Sequence, residues 1–192
     1  MNGCSKYALA ALAVAALALV LTAAMASVFA YYPLSLTIQG TAPPIVLEEG
    51  SNAGQADLSG TIDVSVGQNK TSLTVTLHPT YQTTYYKNVS IIKNQDSSNT
   101  YYIWIRVKSP ANPTLPAGST AQLIVKSSGG ATLATVDLTA SATAGPISLN
   151  AGDYLQLDFK FSIPEGSRLA DFQGVSVSMD VIYSTQYAEA PP

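Results

Sequence analysis

The chain has 192 residues and a formal charge of −3, and only 11% of its residues are charged. Twelve acidic residues face nine basic ones, which argues against a nucleic-acid partner, and one cysteine with one histidine leaves no disulfide framework and no four-ligand zinc site. The 47% apolar fraction is raised by an N-terminal run; the roughly 160 residues beyond it suffice for one domain with a core rather than two.

That run, residues 8–26, reads "ALAALAVAALALVLTAAMA", has no charge and follows Lys6. At about 1.5 Å per residue a helix of this length reaches the thickness of a bilayer core, so an anchor is physically allowed. Its alanine content and the small residues Ala24 and Ala26, with Ala30 as a second site, instead match a signal peptide over residues 1–30, whose membrane contact is transient. A pilin-type leader kept as a filament core is a third outcome. All three put the rest of the protein outside the cytoplasm, secreted or at the cell surface. Cys4 precedes the apolar run, the wrong place for lipid attachment.

Beyond the leader, Tyr32, Leu34, Leu36 and Ile38 alternate with polar residues, which predicts a strand. "TAPPIVLEEGSNAG" follows, with Pro43 and Pro44 as a stiff spacer, so residues 31–50 form a strand-and-spacer segment ahead of a domain at 51–187. "GTIDVSVG" and "TSLTVTLH" predict a hairpin turning at Gly67–Lys70. "NVSIIKN" and "TYYIWIRVKS" flank "QDSSN", a second expected hairpin, and the proline-rich "SPANPTLPAGS" reads as a loop or edge. "TAQLIVKS" and "ATLATVDLTA" predict a third hairpin. "YLQLDFKFSI" is the clearest alternation, "IPEGSRLADFQG" has room for one helical turn, and "GVSVSMDVIYS" closes the domain before a disordered tail at 188–192. Eight or nine strands in one domain predict an all-β fold, a jelly-roll or immunoglobulin-like β-sandwich preceded by the apolar N-terminal helix.

Chemistry is scarce. His78 stands before Pro79, and no serine has a nucleophile context, so no catalytic residues are expected. Phosphate-binding loops and EF-hand spacing are absent, although Glu48, Glu49, Asp57, Asp63, Asp153 and Asp158 could converge on a calcium ion; no cofactor or metal is expected. Asn69 and Asn88 head glycosylation sequons, with Asn69 in a predicted turn. On the "TYYIWIRVKS" strand, Tyr101, Ile103, Ile105 and Val107 share the core face. Tyr102 and Trp104 share the other with Arg106 and Lys108, a surface aromatic patch suited to carbohydrate or a partner protein if the chain is a membrane-anchored surface domain.

The strand at Tyr32–Ile38 has two options. It can fold back into its own domain, or it can enter the sheet of the next subunit, and that second contact, repeated head to tail, makes a fibre. The order "YYPLSLTIQG", "APPIVLEEGSNAG", "YYKNVSIIKNQDSSNTYYIWIRVKSP", "LNAGDYLQLDFKFSIP" resembles the TasA and camelysin group of biofilm fibre subunits and the related archaeal bundling pilins, over most of residues 31–184. The resemblance implies a jelly-roll domain and donor-strand plugs at Tyr32, Leu34, Leu36 and Ile38. It also implies identical subunits as partners in a homopolymer, with filaments gathered in bundles.

Overall fold

The computed structural model describes residues 4–23, 30–187 and 191. Two compact units divide the chain between Gly40 and Thr41. In the first, α1 spans Cys4–Ala23, a run of alanine and leucine, the strongest helix formers. Among the described residues no helix is long and apolar enough to cross a membrane. Ala24 and Ala26 lie outside the described residues, as does most of the 188–192 tail. Residues 30–43 form no strand, although one was expected at Tyr32–Ile38: period-two alternation makes a segment able to pair but supplies no ladder partner.

The second unit is all-β, with ten strands among its described residues. In chain order they are β1 (Ile45–Glu49), β2 (Asp63–Val66), β3 (Leu73–Thr76), β4 (Gln82–Asn94), β5 (Tyr101–Asn112), β6 (Thr120–Ser127), β7 (Thr132–Asp137), β8 (Thr143–Leu149), β9 (Tyr154–Ile163) and β10 (Ser176–Ser184). A 3-10 turn at Leu169–Phe172 sits where one helical turn was expected. The strands form a five-stranded sheet ordered β1-β4-β9-β6-β7, a three-stranded sheet ordered β10-β5-β8 and the β2-β3 pair. Every ladder is antiparallel.

One core lies between the sheets. The inner face of β5 contributes Ile103, Ile105 and Val107, and the five-stranded sheet contributes Val89, Ile92, Leu123, Val125 and Leu155, all buried. Burial at roughly 25 cal/mol per Å² of apolar surface is the main stabilising term, since the unit holds neither cysteine nor disulfide.

Three sequence expectations need correction. β4 and β5 are not a hairpin: β4 pairs with β1 and β9, β5 with β10 and β8, so the "QDSSN" connection crosses from one sheet to the other. Asp96 shapes that crossing by accepting hydrogen bonds from the Ser98 and Asn99 amides, and buried Asn94 ties it to the carbonyls of Asn99, Leu149 and Asn150. Second, β1 occupies the C-terminal end of the supposed spacer, so the domain begins near Thr41 and not at 51. Third, "TAGPISL" forms a strand, β8, where none was expected; its proline is tolerated because the strand is a sheet edge.

Candidate functional site

The second unit holds an apolar groove of about 950 Å³. Leu157, Phe159, Phe161 and Ile163, the alternate residues of β9, form its floor with Leu123 of β6. β10 walls one side through Val177, Met179 and Val181, and β3 walls the other through Leu73 and Val75. The 3-10 turn closes one end with Leu169 and Phe172; at the other end the lining stops at Ser90 in β4, Leu157 in β9 and Val181 in β10.

Both flanking strands are edges. β10 is terminal in the three-stranded sheet, and β3 is paired on one side only. The groove therefore presents two unpaired backbone edges over a hydrocarbon floor, a combination that templates the addition of an extended strand. Its length follows from β9, where Leu157 to Ile163 spans about 20 Å at 3.3 Å per residue.

Two polar clusters hold the groove's frame. At the β4 bulge between Tyr86 and Ser90, three residues oppose Asp158 alone. The fully buried Asp158 carboxylate accepts hydrogen bonds from Tyr85 Oη at 2.6 Å, the Asn88 amide at 2.7 Å and Gln156 Nε2 at 2.7 Å, and it pairs with Lys126 Nζ at 2.7 Å. Burial alone would raise this carboxyl, but Lys126, Tyr85, the Asn88 amide and Gln156 together hold it below the ordinary aspartate value. Asn88 needs that anchor, since its φ is +46°, a left-handed conformation unusual for a non-glycine residue. Gly50 packs so closely on the Asn88 carbonyl that a side chain there would collide with it.

The second cluster sits where β3 leaves the groove. Asp57 accepts from the backbone amide of His78 at 2.8 Å, faces His78 Nδ1 at 2.9 Å, and accepts from Tyr86 Oη at 3.0 Å and the Leu58 amide at 2.6 Å. Burial raises the Tyr86 phenol and the Asp57 bond adds to it. For Asp57, burial opposes ionisation and is outweighed by the bonds from Leu58, His78 and Tyr86, leaving the carboxyl low. His78 thus positions a loop. None of the described contacts pairs it with a serine hydroxyl.

Tyr32, Leu34, Leu36 and Ile38 are each at least 80% exposed. Trp104 is not a surface residue: it is 5% exposed, and the Gly145 backbone packs on it so tightly that a Cβ at Gly145 would lie 2.8 Å from its ring. The expected aromatic patch loses its centre, because Trp104 lies at the irregularity in the β5-β8 ladder, where the Gly145 backbone packs against it; Tyr102 keeps partial exposure and stacks edge-on against Tyr187 at 5.1 Å. Asn69 is exposed in the β2-β3 turn, as a sequon acceptor requires. Asn88 lies in the bulge with its Nδ2 donating to Ser51 at 2.8 Å, so the folded domain occupies the nitrogen that a glycan would need. The six carboxylates proposed to converge on calcium do not: among the described residues no group of three ligating side chains comes together.

The groove had a readable signal, the alternation of "YLQLDFKFSI", but alternation cannot tell a filled core from an open one. Asp158, on the strand's polar face, gave no cue that it would be buried, since its partners Tyr85 and Lys126 come from other strands. No protein-family model and no curated protein matches the chain.

Proposed function

We propose that this protein is a structural, non-enzymatic subunit of extracellular filaments that polymerises head to tail by inserting residues 31–39 of one copy into the groove of the next. One observation carries the proposal: a hydrocarbon groove flanked by two unpaired strand edges occurs in the same chain as an exposed segment that alternates apolar and polar residues over the same length. Tyr32 to Ile38 spans about 20 Å when extended, as do the four floor residues of β9. Leu34, Leu36 and Ile38 would face the floor while the segment's backbone paired with β10 and β3. The three-stranded sheet and the β2-β3 pair would then join as one layer of a β-sandwich of jelly-roll or immunoglobulin-like type. The TasA and camelysin resemblance points the same way, with residues 1–30 as a signal peptide whose removal frees the segment.

Deleting Tyr31–Gln39 tests this. The expected product is a folded monomer that forms no fibres by sedimentation or electron microscopy, while Leu36→Glu, which keeps the segment but places a charge against hydrocarbon, blocks assembly equally. Normal fibres from the deletion would sink the mechanism. A monomeric full-length protein whose groove is protected from hydrogen exchange would mean that the strand serves its own domain. The surface-binding alternative has lost its main support with Trp104 buried.

A further inference from the structure

We infer the polarity and register of the inserted strand, an inference that rests on the donor-strand reading above: residues 32–38 run antiparallel to β10, with the Tyr32 hydroxyl bonded to Ser90 at the groove's inner end.

The flanking strands pose the problem. β10 runs toward the Ser90 end, since Ser176 pairs with Asn112 while Val181 pairs with Ile105, the β5 residue that lines the groove at that end. β3 runs the other way. The turn before it lies beside β1, where Lys70 accepts a hydrogen bond from Leu47, and the chain after it leads to Gln82, which pairs with Ile163. Any strand between them is antiparallel to one and parallel to the other. Parallel pairing is the weaker of the two, and it costs least along β3, with four residues, rather than β10, with nine.

A side chain settles the same choice independently. Ser90 is fully buried and lines the groove, and its hydroxyl has no hydrogen-bond partner among the described residues. A buried hydroxyl without a partner is destabilising, and an occupant that supplies one is favoured. Of the inward series Tyr32, Leu34, Leu36 and Ile38, only Tyr32 carries a polar group. Facing sheets stand about 10 Å apart, a gap that a tyrosine facing a serine can bridge with a hydrogen bond. Antiparallel insertion puts Tyr32 beside Val181 and over Ser90, and Ile38 beside Val175. Reverse insertion puts Ile38 over Ser90 and leaves the hydroxyl facing hydrocarbon.

Disulfide trapping in polymer assembled from the exported, processed chain, expressed from a Cys4→Ser gene so that unprocessed protein adds no thiol, reads the polarity directly. Ile38→Cys with Val175→Cys is expected to cross-link between subunits on mild oxidation, and Ile38→Cys with Val181→Cys is not, the two sites being about 20 Å apart along β10. Cross-linking of the second pair alone would overturn the polarity and leave strand donation standing. Polymer with neither link would overturn this docking geometry, and a monomeric Cys4→Ser parent would overturn the filament reading itself. The hydrogen bond has its own readout. Tyr32→Phe should speed subunit dissociation about three- to tenfold in the Ser90 protein and leave it unchanged in Ser90→Ala; equal acceleration in both would remove the Tyr32–Ser90 contact.

Discussion

Asp158 is a charge placed where water is absent, held by Lys126, Tyr85, Gln156 and the Asn88 amide. Breaking such a set leaves Lys126 without its counter-charge, so Asp158→Asn should destabilise the domain by about 3 kcal/mol or more, read as a lower denaturant midpoint. The pH dependence has a definite sign. Because the native carboxyl sits below its unfolded value, its stabilisation is full above roughly pH 4 and is lost as pH falls through the native value. Thermal melts from pH 6 down to 2 should show this loss, and Asp158→Asn should flatten the slope; an unchanged slope would remove Asp158 from the account. Trp104→Ala removes a buried indole and should cost about 3–5 kcal/mol. A mutant of wild-type stability that had lost saccharide binding would restore the surface-patch reading.

Among the elements, the β4 bulge and the β2-β3 hairpin matter most, since one anchors Asp158 of the floor strand β9 through the Asn88 amide and the other forms a wall. Gly145 shows how tightly β8 is fitted: its φ is +130°, and a Cβ there would lie 2.5 Å from the Ile103 carbonyl. Gly145→Ala should therefore lower the melting temperature by several degrees, a shift of the size expected when a strained backbone position receives a side chain. The two sequons differ by element as well. In a host that glycosylates exported chains, glycopeptide mass spectrometry should find modification at Asn69, in a turn, and none at Asn88, in the β4 bulge with its side-chain amide bonded to Ser51. Equal occupancy would show that modification precedes folding of β4.

The second unit carries an open groove, and by mass action anything that fills it stabilises the fold. A synthetic peptide of residues 31–40 added to the Tyr31–Gln39 deletion should raise its melting temperature with concentration, and a peptide with Leu36→Glu should not. No shift at millimolar peptide would count against the groove as the acceptor. On the proposed donor-strand reading each joint would rest mainly on apolar burial, so assembly should survive high salt, which screens surface ion pairs such as Lys70 with Glu48.

The local pattern alone determined that this is an all-β domain behind an apolar N-terminal run, because period-two alternation in "TSLTVTLH", "YLQLDFKFSI" and "GVSVSMDVIYS" is a property of neighbouring residues. It also marked Tyr32, Leu34, Leu36 and Ile38 as an alternating segment able to pair, which the structure leaves exposed and outside any strand. Which strands share a sheet was decided by the tertiary structure: "QDSSN" suits a hairpin as well as a crossing between sheets, and only the competition among β1, β8, β9 and β10 for the edges of β4 and β5 resolves it. The burial of Trp104 and Asp158 was settled at the same level. A side chain's face is set by its own strand, but whether that face meets water depends on what other segments bring against it, and so does the gap between β3 and β10.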